Sequence, residues 1–290
     1  MRLDLNGNLG TGWPKQYGSS SNDIAYDIKE DHDGNYIVVG TAGTDDGTMA
    51  GWSGLNNAQD DGDIWVLKLS PGGSVLKQQL YYGANSGADA AHSVIVTCNN
   101  KYAIASFCNS CEAGDFTEDY LLEISNDLSS DSSVILGKSN KDQGSYNIIQ
   151  VYSGIFGTCL YSDPYVSAGL SHTANGCLQD VHDFWATKTN NDLTDNTTFT
   201  NSCTDVDEGA VYGGTKLDDG FCAVQTCSGY VIVGYTKTGS NDNDVSCNSD
   251  GTSLYTEEIW MVKVNGSTGA VEWDESLGNT GDDGAYSIQR

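Results

Sequence analysis

Apolar and polar residues alternate in short runs along this chain, and Asn-Gly or Asp-Gly pairs break the runs. The clearest phrase is Glu258-Ile259-Trp260-Met261-Val262-Lys263-Val264, followed by the turn Asn265-Gly266-Ser267-Thr268-Gly269. A second apolar run with Trp273 comes next and ends at Leu277-Gly278. An acidic turn, Gly281-Asp282-Asp283-Gly284, then leads into Ala285-Tyr286-Ser287-Ile288. A period of two rich in Trp, Val and Ile, bounded by turn residues, predicts short antiparallel strands joined by tight turns. Helix is the poorer reading, because no 3.6-residue apolar period is sustained and Gly interrupts nearly every apolar run.

The phrase recurs. Its Trp strand returns at 63–69 with Trp65 and at 183–188 with Trp185, and more weakly at 119–124, where Tyr120 replaces Trp. The strand after the acidic turn recurs at 23–28 and 89–94, and in degenerate form from Asp142 and from Asp219. The anchors 23, 89, 142, 219 and 283 lie 66, 53, 77 and 64 residues apart. A further strand is predicted after each of the first four, at 36–40, 102–107, 155–159 and 230–234. Each unit thus holds about four strands, which predicts an all-β fold: a β-propeller of about five four-stranded blades, the one containing both termini incomplete. The units run near 19–83, 84–137, 138–213 and 214–278, with 1–18 and 279–290 as a partial unit in a single repeat-built domain. One blade leaves a sheet face bare, so such units must stack in series.

The motif Asp-x-Trp-x-x-Lys, a turn, Trp, then Asp-x-Ala-x-Ser-Ile and Gly-Tyr-Ile-Val-Val-Gly resembles a family of secreted propeller repeats of bacterial surface and exported proteins. Here it is carried by Asp63, Trp65 and Lys68, by Glu258, Trp260 and Lys263, by Trp273, and by 283–288, 36–41 and 230–236. The resemblance touches most of the chain and fades over 98–215. It implies a propeller and an extracellular or cell-surface location. It implies no single activity, since propellers host many.

The charge sharpens this picture. Against 40 Asp and Glu stand 13 Lys and Arg, a formal net charge of -27. Nucleic acid and anionic membrane surfaces are therefore excluded as partners, while solubility and attraction of divalent cations are favoured. No run of 18 apolar residues is present, so no membrane span is expected. Residues 1–18 do not read as a secretory leader, so an exported form would carry its leader outside this sequence. Nine cysteines suit an oxidising compartment: Cys98, Cys108, Cys111, Cys159, Cys177, Cys203, Cys222, Cys227 and Cys247. They are read as disulfide-forming, with one left over because the count is odd. Cys159 with Cys177 would staple one long loop, although sequence does not determine pairing.

Arg2 aligns with Lys263 and Trp13 with Trp273, so the sequence opens inside a Trp strand and ends in mid-repeat. Three expectations follow. The two ends share one blade, the polypeptide continues as a longer chain, or another copy completes the broken unit by strand addition and builds a head-to-tail filament.

Long polar loops are expected at 42–62, 108–118, 160–182 and 237–257, projecting from one rim. Calcium is the candidate cofactor. Asn241, Asp242, Asn243, Asp244 and Asp250 form one set of oxygen ligands, and Asp60, Asp61 and Asp63 another. Trp52, Tyr161 and Tyr165 are candidate ligand-facing aromatics, with glycans as the partner. Trp65, Trp185 and Trp260 occupy one repeated strand position and read as packing residues. Asn196 and Asn265 begin glycosylation sequons. The histidines at 32, 92, 172 and 182 form no catalytic pattern, and His92 takes the place of Tyr26 and Tyr286 as a packed residue. The expected role is non-enzymatic: an extracellular structural or adhesive propeller, a subunit or segment of a surface filament assembled by strand complementation. The alternative is a carbohydrate- or calcium-dependent binding module using the loop rim. A polysaccharide-active enzyme is the third reading.

Overall fold

The computed structural model describes residues 2–43, 47, 62–81, 87–109, 117–136, 142–152, 164–173, 181–190, 193, 199, 209–237, 244–246 and 256–289. Within them the protein is all-β, with sixteen strands in four antiparallel sheets of four. The first sheet holds β1 (Ile24–Glu30), β2 (Tyr36–Ala42), β3 (Asp63–Leu69) and β4 (Val75–Tyr81). The second holds β5 (Ala90–Val96), β6 (Tyr102–Asn109), β7 (Thr117–Ile124) and β8 (Asp131–Leu136). The third holds β9 (Gln143–Gln150), β10 (Tyr165–Thr173), β11 (Val181–Thr189) and β12 (Ala210–Tyr212). The fourth holds β13 (Asp218–Gln225), β14 (Gly229–Thr236), β15 (Glu258–Asn265) and β16 (Val271–Leu277). In each sheet spatial order follows chain order, the meander that tight turns impose. The second strand of the third unit is therefore β10 and not 155–159, which lie outside the described residues.

The sheets stack in series through their first strands. β5 packs on β1, β2 and β3; β9 packs on β5, β6 and β7; β13 packs on β9, β10 and β11. The apolar clusters lie between sheets as a result. One joins Ile37, Val39 and Ile64 to Val94, Tyr102 and Ile104, and another joins Phe184 and Tyr212 to Ile232, Trp260 and Val262. Trp185 and Trp260 are fully buried, and their indole N–H groups donate to Asp119 and Asp274 at 3.4 and 3.1 Å. Trp65 is buried as well and donates to Gln78 at 3.2 Å. The recurrent lysine also acts between sheets: the Lys68 ammonium lies 3.1 Å from the buried Asp31 carboxylate and donates to Asn126 of the next sheet.

Each first strand carries one extra residue at the same place. Tyr26, His92, Tyr146 and Phe221 are skipped in the pairing with β2, β6, β10 and β14. A bulge turns the extra side chain out of the alternating order. The four rings meet in succession, with centroids 4.4, 4.8 and 5.4 Å apart, and Tyr286 continues the file 4.8 Å from Phe221. The partner strand must approach closely beside the bulge. A Cβ on Gly40, Gly169 or Gly234 would lie within 1.9 Å of the carbonyl oxygen of Ile24, Gly144 or Asp219. These positions therefore admit no side chain without moving backbone.

The bulge also corrects the repeat register. Three residues before the ring stand Asp23, Asp89, Gln143, Asp218 and Asp283, so the anchors of the third and fourth units are Gln143 and Asp218 rather than Asp142 and Asp219. Asp23, Asp218 and Asp283 each accept a hydrogen bond from the backbone N–H four residues earlier, at 2.6, 2.8 and 3.0 Å. Such local carboxylate bonds hold a turn closed before the strand begins.

Two flanking segments repeat parts of this plan. Leu3 bridges Leu9 across a turn in which Asp4 N–H donates to Asn8, as Ser70 does to Ser74 and Asn265 to Ala270 between third and fourth strands. At the other end, Asp283 N–H donates to Glu257 at 2.8 Å, matching Asp89 N–H to Gly62 at 2.9 Å. Residues 283–289 thus lie on the fourth sheet as β5 lies on the first. Among the described residues no strand pairs with them.

Candidate functional site

First strands begin, second strands end and third strands begin at one rim. There, between the third and fourth sheets, His182 near the start of β11 meets Asp219 of β13 and Tyr235 of β14. The His182 Nδ1 lies 3.3 Å from Asp219 Oδ1, and the Tyr235 hydroxyl donates to Asp219 Oδ2 at 2.5 Å. The hydrogen bond to Asp219 raises the His182 pKa; burial opposes it, and the charges of Asp219 and Asp142 add to it. Burial first, and then the bond to Asp219, pushes the Tyr235 hydroxyl up. The imidazole is 38% exposed, so a rim ligand can reach it.

The repeat makes the cluster exceptional. Where the fourth unit has Asp219, the others have Ile24, Ala90, Gly144 and Gly284; where it has Tyr235, they have Thr41, Phe107 and Leu170. Sequence reading missed the trio because Asp219 was taken as a structural anchor. Structural alignment on Asp218 is the signal that exposes it.

A second feature is an apolar groove of about 460 Å³ on the outer face of the first sheet. Trp13, Tyr17, Ile24, Tyr26, Ile28 and Trp65 contribute to it. Trp13 and Tyr17 cover the β3 side, held by bonds to Pro71 and Gly73. The β1 side stays bare: Ile24, Tyr26 and Ile28 are 47%, 44% and 54% exposed.

The sequence-predicted sites fare unevenly. Tyr165 is buried in β10, where its hydroxyl donates to Glu123 at 2.5 Å; it presents no face to a ligand. Trp52 and Tyr161 lie outside the described residues, as do Asn241, Asp242, Asn243, Asp250, Asp60 and Asp61. Asp63 opens β3, and burial raises the Asp244 carboxyl pKa. No group of three or more His, Cys, Asp or Glu among the described residues is arranged to hold a metal ion. Asn265 ends β15 at the hairpin turn into β16, its side-chain N–H donating to Glu272 at 3.1 Å; Asn196 lies outside the described residues. Cys222 and Cys227 are free thiols, and the odd count of nine cysteines required at least one. Cys222 sits within β13 beside the Ile288 carbonyl and Cys227 is exposed in the following turn, so neither meets a second sulfur there. Cys98 and Cys108 are disulfide-bonded; Cys111, Cys159, Cys177, Cys203 and Cys247 lie outside the described residues. His92 is the packed residue expected, with its ring against Tyr26, Phe107 and Tyr146. No helix among the described residues is long and apolar enough to cross a membrane.

These features define a class: an all-β repeat protein of four serially stacked meanders with an aromatic file along their first strands. Comparison with protein-family models finds no match, and comparison with curated proteins finds none of significant similarity.

Proposed function

We propose that the protein is a structural or adhesive β-propeller module of the cell exterior, and that it assembles with further copies into a surface filament by strand complementation. In this reading the four sheets and the flanking segments belong to five units around one axis, the fifth assembled from separate stretches of polypeptide. The observation that carries it is the docking of 283–289 on the fourth sheet in the manner of a first strand, while the equivalent face of the first sheet stays bare. Five aromatic residues in file support the count of five. The high negative charge and the disulfide-bonded Cys98 and Cys108 suit an exported scaffold. Electron microscopy of the purified protein tests the proposal. Five-lobed particles joined end to end are expected, and discrete four-lobed particles that never associate would rule it out.

The His182–Asp219–Tyr235 cluster favours one second reading, a rim that binds glycans or calcium. Binding to a glycan array that disappears in the His182→Ala variant would support it; an array signal unchanged by that variant would remove it.

A further inference from the structure

Four side chains close a ring of polar contacts where the first sheet meets the second, at the strand ends opposite the rim of His182. Lys68 of β3 donates to the Asn126 backbone carbonyl at 2.8 Å and to its side-chain Oδ1 at 2.6 Å. The same ammonium lies 3.1 Å from Asp31 Oδ2. The Tyr102 hydroxyl donates to that Oδ2 at 2.9 Å and accepts from Asn126 Nδ2 at 3.2 Å. Lys68, Asp31 and Tyr102 are buried, and the ammonium sits 5.5 Å from the centre of the Tyr102 ring. With Oδ1 2.6 Å away, the Asn126 amide carbon lies within about 3.8 Å of the amine, close to the separation of a reacting pair. An ion pair needs only Lys68 and Asp31, so the amide held against both is the surplus feature. The third unit has the lysine tie without it. There Lys188 donates to the Gly266 carbonyl at 2.9 Å, Gly266 brings no amide side chain, and Val151 holds the place of Asp31.

We propose that Lys68 and Asn126 join in a self-formed isopeptide bond, Lys68 Nζ to Asn126 Cγ, which ties the first sheet covalently to the turn after β7. The ion pair is the resting state. Asp31 takes a proton from the ammonium, and the freed electron pair of Nζ attacks Cγ to form the new bond. Asp31 then passes that proton to the Tyr102 oxygen while the Tyr102 proton moves to Nδ2. The Cγ–Nδ2 bond breaks and ammonia leaves. The extra proton on Nζ returns to the Asp31 carboxylate, and the departing ammonia carries it away as ammonium. No oxidant, reductant or water is consumed. Asp31 and Tyr102 are the catalytic residues of this step, since both touch the reacting groups. The bond closes a span of 58 residues, so it restricts the unfolded chain as a disulfide would, and no thiol reverses it. It does not depend on filament assembly.

The test is the intact mass of the whole chain, purified folded and then denatured with its disulfides reduced. A deficit of one ammonia against the sequence is expected, together with a branched proteolytic peptide joining Lys68 to Asn126. Lys68→Met and Asn126→Ala should each restore the full mass. Tyr102→Phe keeps the ring and removes the proton relay, and should slow ammonia loss at least about tenfold with native circular dichroism retained. Full mass after prolonged incubation of the folded protein at neutral pH would overturn the proposal. So would a deficit that survives Lys68→Met or Asn126→Ala, since it would arise at another amide. The branched peptide is sought in the unsubstituted protein, so its absence overturns the proposal whether or not the variants fold.

Discussion

Tyr26 and Ile28 on β1 are matched by Tyr146 and Ile148 on β9, the same residue types at the same two positions of equivalent strands. Ile28 is 54% exposed and Ile148 is fully buried. Tyr26 is exposed, whereas burial first, and then the charges of Asp219 and Tyr26, raise the Tyr146 hydroxyl. The strands differ in what precedes them in the stack. β9 lies on the second sheet, while among the described residues β1 has only the 2–18 segment over the far side of its sheet. Burial in such an array is a property of the neighbour, and an identical pattern of residues is core in one unit and open surface in another.

The widest gap is expected from truncating the matched isoleucines. Ile148→Ala should destabilise the protein by about 2–5 kcal/mol, the range for emptying a packed site. Ile28→Ala should stay within about 0.5 kcal/mol in urea unfolding, as exposed positions do. Equal losses would mean that β1 is covered in solution and the comparison is wrong.

A similar loss is expected on the acid side, from the one ring of the aromatic file that titrates there. Burial lowers the His92 pKa from 6.5 to about 4, and its Nε2 is buried with no hydrogen-bond partner in the structure. The folded value lies below the unfolded one. Stability is therefore complete above pH 6.5 and falls as the pH drops toward 4, by up to about 3 kcal/mol. In His92→Phe, which makes this position like Phe221, that part of the acid loss should vanish from thermal melts recorded across the range. An unchanged slope would show that His92 is not the group involved.

The smallest effect concerns the polar tie from a first strand to the next sheet. Asp27 accepts from Val94 N–H at 3.0 Å, and Asn147 accepts from Ala223 N–H at 3.1 Å. Asp27→Ala leaves a buried N–H without its partner and should cost about 1–2 kcal/mol. Asp27→Asn, which copies Asn147, should cost less than about 0.5 kcal/mol. If the two variants lose equally by calorimetry, the charge and not the hydrogen bond matters at Asp27.

Much of the fold was legible because strands and turns are local. Alternation around Trp65, Trp185 and Trp260, and Asp-Gly or Asn-Gly at the breaks, marked β3, β11 and β15. The match of Tyr26, His92 and Tyr286 marked His92 as a packed strand residue. Legibility failed where two acidic residues compete for one place, since Asp218-Asp219 read the same in either register and only the bulge at Phe221 separates them. It failed again in the third unit, where apolar residues at 155–159 mimicked the strand that is Tyr165–Thr173. That same error turned the buried Tyr165 into an apparent rim aromatic.

Composition, periodicity and turn chemistry by themselves determined an all-β repeat of short antiparallel strands, its strong acidity and the identity of its packing tryptophans. Each of these depends on residues close together along the chain. The tertiary structure alone decided which Tyr and Ile are covered, that Gly234 faces the Asp219 carbonyl, and that His182, Asp219 and Tyr235 share one rim. Those outcomes depend on contacts between strands far apart in sequence, and a one-residue bulge changes them without altering the apolar pattern.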